Sequence, residues 1–356
     1  MKPAYIISSS AVSPQHTFLA DHFLQSIHTV PDGKLYNQRA DHSQYINPVA
    51  IRRMSQLLKD GITAGMQCLA AAGLKTPDAI ITGTSRGSVT DMEQFMKDMA
   101  LRGEEALNPT CFIQSTYNSV NGWLAVNSGC KGYNQTYVHR GFSFELALQD
   151  TLMTLAEATD PITVLTGCFD ELTPEYFLIR QKVGFFKNEF PQSDQLLQHY
   201  HTPGTIGGEG ATFFTFTNTP QEKAIALTDL QMLYKPTADT VTNELLQFLA
   251  RNQLQAADID VMVSGMNGDA RNWQVMSAIN SIFSELTTIV VFKHLCGEYA
   301  TAAGFGLWIA AHIMRSGHIP NDIVYQQGTQ IKINNTLLCN INISDNVSFI
   351  LLQTDM

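Results

Sequence analysis

One order of signals occurs twice along this chain, and it limits the folds open to it. Met54, Leu58, Ile62, Met66 and Leu69 recur at helical spacing ahead of Gly73, which predicts a helix and its stop. Pro77-Asp78 then leads into a β-rich run, Ala79-Ile-Ile-Thr, and a turn, Gly83-Thr-Ser-Arg-Gly87. Further on, Leu245, Leu246 and Leu249 mark a second helix. Ala257-Asp258 follows, then the run Asp260-Val-Met-Val-Ser264 and the turn Gly265-Met-Asn-Gly268. A β-rich segment closes each copy, at 210–217 and 347–354. The echo predicts two related α/β halves, 1–218 and 219–356, with sheets layered between helices. The stretch 185–208, carrying Pro, Ser, Gln and His, reads as a long irregular connection.

Composition narrows the partners. The 356 residues are 44% apolar, enough for two packed domains or one large α/β unit. Only 15% are charged, against roughly 25% in ordinary soluble chains; a large subunit interface would account for a surface so short of charge. With 22 basic and 32 acidic residues the net charge is −10, which leaves no basic footprint for a nucleic acid and disfavours anionic membranes. The longest apolar stretch, 305–314, contains a Gly and a His and is half the length of a membrane span. The opening residues, Met-Lys-Pro-Ala-Tyr-Ile-Ile-Ser, lack the apolar core of a signal peptide. Cys68, Cys111, Cys130, Cys168, Cys296 and Cys339 are scattered without zinc spacing, so they read as reduced thiols. His199 and His201 are too isolated to suggest a metal site, and Gly83 to Gly87 lacks the phosphate-loop pattern. The expectation is a cytoplasmic chain with neither metal nor cofactor.

Ile206-Gly-Gly-Glu-Gly-Ala211, running into a strand, resembles the M-G-E-G-A turn of the β-ketoacyl synthases of the thiolase superfamily. Asn108-Pro-x-x-Phe112, Asn118 and Gly122-Trp-Leu-Ala125 are similar to the segment those enzymes use at their dimer interface. Lys293-His-Leu-Cys-Gly297 and Ala302-Ala-Gly304 resemble their K-x-x-x-G-H-x-x-x-A-A-G motif, and Gly83 to Gly87 resembles their early G-x-G-x-G turn. The motifs fall in the family order. They imply a thiolase-like five-layer αβαβα sandwich made of two duplicated halves.

The family's reaction needs a Cys, two His and a Lys. The Cys lies at the start of a buried helix, where the helix dipole favours the thiolate that takes the acyl group. The two His donate hydrogen bonds to the thioester oxygen and assist decarboxylation of the malonyl unit. Here the first His position holds Asn267, in Asn267-Gly268-Asp269, and the second holds Glu298. The nucleophile position falls in Arg140-Gly141-Phe142-Ser143, at Gly141 counting from Gly132 and at Phe142 counting back from Gly167. Either count leaves no thiol, and only Lys293 remains. The Gly-rich N-S-F-G-F-G-G segment that carries the family's gating Phe is matched by Asn340-Ile-Asn-Ile-Ser-Asp345, with no Gly and no Phe. A flexible gate is hard to build from β-branched residues.

Among single residues, Glu298 could pair with Lys293 or act as a base; pairing is the expectation, because an unpaired buried carboxylate is costly. Ser143 and Cys296 are the candidate replacement nucleophiles. Against that, Ser at such a position commonly caps a helix; Cys296 has Lys293 and His294 beside it to favour a thiolate. His139 reads as a satisfied core histidine, and Cys130 and Cys168 as packing residues. The resemblance implies a subunit without condensing activity of its own, comparable to the chain-length factors of type II polyketide systems. Its implied partners are an active ketosynthase, in a heterodimer, and an acyl carrier protein. The short, diverged synthases of aryl polyene and other pigment pathways are the nearest analogy in length. The alternatives are an active carrier-protein-dependent condensing enzyme or acyltransferase with a non-standard nucleophile, and a binding protein that keeps only the fold.

Overall fold

The computed structural model describes residues 2–19, 23–220 and 224–354. The first part of the chain runs β1 (Ala4–Val12), α1 (Gln56–Ala71), β2 (Ala79–Thr84), α2 (Val89–Arg102), α3 (Pro109–Gln114), α4 (Ser119–Ser128), β3 (Tyr133–Val138), α5 (Ser143–Glu157), β4 (Thr163–Asp170), α6 (Pro174–Lys182) and β5 (Gly210–Thr217). The remainder runs β6 (Ile225–Leu233), α7 (Ala238–Arg251), β7 (Val261–Ser264), α8 (Ala270–Asn280), β8 (Thr288–Val291), α9 (Ala303–Ser316), β9 (Val324–Gln326), β10 (Asn335–Ile341) and β11 (Val347–Thr354).

Strand order repeats. The first part pairs as β1-β5-β4-β2-β3 and the second as β6-β11-β10-β7-β8, with β9 added at the second edge. In both parts the first two pairings are antiparallel and the next two parallel. Among the described residues, the two sheets join only where Ala4, Tyr5 and Ile6 pair with Leu227, Ala226 and Ile225.

The alternation of side chains explains the layers. Leu165 and Phe169 of β4 pack outward with Leu58 and Ile62 of α1, while Val164 and Cys168 face inward against α5 and α9. In the second sheet Met262, Leu337 and Phe349 face Leu245 and Phe248 of α7, and Val263, Leu338 and Ile350 join the central cluster. The sheets are covered on both faces, so these strands read as apolar runs with no polar side. The order α1/α4, sheet, α5/α9, sheet, α7/α8 is the five-layer αβαβα sandwich expected from the motifs. Helix α9 is buried nearly all round, as a central-layer helix must be. Its Gly304 lets it seat on β4, since a Cβ there would collide with the Cys168 sulfur.

Several local expectations change. Helix α1 starts at Gln56, so Met54 lies in the turn before it. Strand β2 continues through Gly83 to Thr84, and of the two bounding glycines only Gly87 takes a positive φ, +63°. The 185–208 connection is not wholly irregular: Ser193–His199 forms 3₁₀ turns, and Gly207–Gly208 pairs with Lys34–Leu35. No helix among the described residues is long and apolar enough to cross a membrane.

Candidate functional site

Strand β3 delivers the chain to the start of α5 through the turn 139–142. His139 Nδ1 accepts from the backbone N–H groups of Gly141 and Phe142, both at 3.0 Å, and the His139 ring stacks on Phe142. Phe142 is the residue that precedes the helix and is buried. Ser143 does not cap α5: it is the first helical residue, and its hydroxyl points back. That hydroxyl accepts from His139 N–H at 2.8 Å and lies 2.8 Å from the Thr84 carbonyl, to which it donates. The side chain is fully buried. His139 is therefore bound to the helix start by its ring, and the ring is not directed at Ser143.

The turn of residues 342–346 closes over this point. Asn342 N–H donates to the Asn346 carbonyl at 3.0 Å, and Asp345 takes a positive φ of 63° to complete the turn. Asn342 Nδ2 then donates to the Gly141 carbonyl at 2.6 Å. A Cβ on Gly141 would lie 2.6 Å from Asn346 Nδ2 and 2.8 Å from Asn342 Nδ2. Turn and helix start are thus fastened together.

Asn267, Lys293 and Glu298 converge. Lys293 Nζ donates to Glu298 Oε1 at 3.0 Å, and both side chains are completely buried. Glu298 Oε2 accepts from Asn267 Nδ2 at 3.3 Å, and the same amide nitrogen donates to Asn272 Oδ1 at 3.1 Å. Asn272 continues the chain of bonds to Asp345 Oδ1 at 2.7 Å. One polar network therefore runs from Lys293 to the turn that covers Gly141. Burial pushes the Glu298 carboxyl up, and the Lys293 ammonium works against that shift. Glu298 is fixed by its backbone as well, where its N–H donates to the Ile206 carbonyl at 2.9 Å. Gly297, at φ +72°, makes this close pairing with Gly207 possible.

Glu145 was not singled out in the sequence. It sits one turn into α5, fully buried, with Oε1 accepting from Ser348 at 2.8 Å and Oε2 without a partner. Burial raises its carboxyl to about 7, with Ser348 and Lys293 opposing the shift. The i, i+3 spacing from Phe142 is the only signal the sequence offered for it. Glu209 of the G-E-G-A turn serves the fold, accepting from Asn37 N–H and Leu172 N–H, each at 2.9 Å.

Chemically, this is a closed set in which Lys293, Glu298 and Asn267 are bonded to one another, while Glu145 Oε2 and Asn346 Oδ1 have no partner. The Asn267 amide donors are aimed at Asn272 and Glu298. Cys296 is fully buried, and desolvation pushes its thiol up to about 12 although Lys293 favours the thiolate. Cys168 is buried with its thiol raised in the same way, and Cys130 is half-buried. No group of three or more His, Cys, Asp and Glu among the described residues could hold a metal ion.

Residues 26–197 match the family model for the beta-ketoacyl synthase N-terminal domain. No curated protein matches the sequence. Solved structures with the same fold include the ishigamide ketosynthase/chain length factor, at TM-score 0.80 and 14% identity over 100% of both chains. Another is a type II polyketide synthase acyl-carrier protein in complex with its ketosynthase bound to the hexaketide, at TM-score 0.73 and 15% identity over 100% of both chains. A third is a beta-ketoacyl synthase from Burkholderia phymatum, at TM-score 0.72 and 16% identity, again over 100% of both chains. The structural likenesses, all at 16% identity or less, carry the fold, and sequence kinship with the beta-ketoacyl synthase N-terminal domain rests on residues 26–197, just under half of the chain.

Proposed function

We propose that the chain is a non-condensing subunit of the chain-length-factor type, which pairs with an active ketosynthase and shapes the tunnel for the growing acyl chain. One observation carries this reading: three of the four positions matching the family's catalytic set, Phe142, Asn267 and Glu298, are altered, and the retained Lys293 is locked in a buried pair with Glu298. We take Phe142, which precedes α5, as the nucleophile position. A phenyl ring has no nucleophilic atom, and a carboxylate where a donor is needed opposes negative charge on a thioester oxygen. Neither Ser143 nor Cys296 substitutes, since the hydroxyl is held by backbone groups and the thiol stays protonated.

A partner is supported by the first half's outer face. Among the described residues β3 pairs only with β2, leaving one strand edge free, and free edges invite pairing. Around it Phe112, Ile113, Tyr117 and Val126 are exposed at 57, 63, 47 and 74%. Two clefts of about 430 and 560 Å³, lined by Ile113 and Trp123, open on the same face. An obligate heterodimer there would bury at least about 2,000 Å². The reading divides the chain at 218/219, places it in the cytoplasm, and makes a carrier protein the source of acyl groups for the complex. The product class is polyketide, aryl polyene or fatty-acid-like. Co-expression with the ketosynthase encoded beside it tests the pairing. A stable 1:1 complex is expected, and a chain that stays monomeric or pairs only with itself would contradict it.

A further inference from the structure

Arg86, in the turn after β2, lines a third cleft on the first half's outer face, of about 480 Å³, with Met92, Tyr117, Thr136 and Val138. Thr116 and Asn118 line both this cleft and the one of about 430 Å³, so the two are continuous. Thr136 and Val138 belong to β3, the strand with the free edge. A charged group thus stands within the otherwise apolar and polar-neutral surface that a partner would cover.

Arg86 is held but not paired. Its guanidinium lies over the Tyr176 ring, 4.4 Å from the centroid. That ring is itself fixed, since the Tyr176 hydroxyl accepts from Arg180 Nε at 2.8 Å. Arg86 Nε is buried without a hydrogen-bond partner, and no ion pair among the described residues includes Arg86. The acids of the adjoining strand end are committed elsewhere. Asp170 accepts from the Ser85 N–H at 2.8 Å and from the hydroxyls of Thr84 and Thr301 at 3.1 and 2.9 Å. Glu171 accepts from the Thr90 N–H at 2.8 Å and its hydroxyl at 3.0 Å. With Nε enclosed, the two terminal nitrogens are the donors left for a partner.

Closing a subunit over this face turns a half-buried arginine into a buried one. A buried guanidinium without a counter-charge weakens a complex strongly, so a partner that fits must bring a carboxylate. Among the described residues no Asp or Glu lines any of the three clefts on this face, and Arg53 is the other charged residue that does. A second copy of this chain would present the same patch back to itself, setting arginine-bearing clefts against each other with no acid between them. The charge that selects an acidic partner therefore rejects a self-pair. Resting on the heterodimer reading, we propose that the ketosynthase subunit presents an Asp or Glu side chain to the terminal nitrogens of Arg86, and that this contact makes the pairing heteromeric.

Surface plasmon resonance of the full chain against the ketosynthase, with sedimentation velocity of the chain alone, tests this. The wild type should pair with the ketosynthase and not with itself. Arg86→Met should weaken that pairing about 30-fold or more, because the partner's carboxylate is left buried and unpaired. Arg86→Lys keeps the charge without the forked donors and should fall between the two, while Arg86→Glu sets like charges together and should abolish pairing. Lys332→Met removes an exposed charge in the second half and should leave affinity unchanged. Arg86→Met should unfold in urea at the wild-type midpoint, since Arg86 bonds to nothing in its own chain, and should self-associate where the wild type does not. A wild type that fails to bind the ketosynthase defeats the heterodimer reading and this contact with it. A wild type that binds, with Arg86→Met binding equally well, overturns the contact and leaves the heterodimer standing. Loss of carrier-protein binding in Arg86→Met, with ketosynthase affinity intact, would give the cleft to the carrier protein and overturn it likewise. A self-associating wild type, or an Arg86→Met chain that stays monomeric alone, would overturn the role of Arg86 against self-pairing.

Discussion

The ammonium of Lys293 lies 3.0 Å from Glu298 Oε1, with neither side chain reaching solvent. On the proposed reading, the residue at the family's lysine position is thus held by the residue at one of its histidine positions. Taking both charges out of water is expensive, and the pair is held only because each is the other's compensation. Asn267, which the same reading puts at the other histidine position, donates to the same carboxylate. The replacements therefore support one another.

Breaking this pair from one side should be severe. Glu298→Leu strands the Lys293 ammonium and should cost about 3–5 kcal/mol. Lys293→Met/Glu298→Leu should recover most of that, because no buried charge remains. Urea unfolding of the single and double variants measures the difference. A double variant as unstable as the single one would contradict the pairing.

Glu145 should make the protein less stable as pH rises. Its folded-state pKa is about 7 against an ordinary 4.5, so between those values the folded chain keeps a proton that the unfolded chain has released. Stability therefore falls with rising pH across that window. Asp60, Glu171 and Glu209, also raised to about 7 by burial, act in the same direction. His294 and His312, lowered to about 4, oppose them by losing stability as pH falls below 6.5. The urea midpoint should be higher at pH 6 than at pH 8. Glu145→Gln should remove about 2–3 kcal/mol of the loss between pH 4.5 and 7.

The Asn342 side chain should hold the covering turn shut. Asn342→Ala deletes the 2.6 Å bond to the Gly141 carbonyl and should cost about 1–2 kcal/mol. Hydrogen exchange should speed up at residues 342–346 and at the start of α5, with strands β10 and β11 unchanged.

Ile113→Asp and Val126→Asp test the proposed heterodimer face. Both side chains are exposed, at 63% and 74%, so each should shift the stability of the chain by less than about 0.5 kcal/mol. Co-purification with the ketosynthase should drop sharply for both.

Much of the scaffold was legible because it obeys short-range rules. The closing strands occupy 210–217 and 347–354 as read, since β-branched and aromatic runs covered on both faces have few alternatives. The pairing of Lys293 with Glu298 was legible from their closeness in sequence and the cost of a lone buried charge. Glu145 was not, because the Ser348 hydroxyl that meets it comes from 203 residues away. The Asn342–Gly141 bond spans 201 residues and was hidden for the same reason. Ser143 misled because its position suggested capping, while the nearby Thr84 carbonyl, supplied by another strand, draws its hydroxyl backward. Strand β9, with three residues, is too short to leave a pattern.

The most direct measurement is a condensation assay on the purified chain, supplied with acyl- and malonyl-loaded carrier protein and followed by product analysis and intact mass. A non-condensing subunit gives no product and no acyl adduct alone, while the same reaction with its ketosynthase gives product. Phe142→Cys should not restore turnover by the chain alone, because Asn267 and Glu298 still leave the thioester oxygen without its two donors. Turnover by the unmodified chain, or an acyl group found on Ser143 or Cys296, would contradict the reading and make this chain a condensing or acyl-transferring enzyme in its own right.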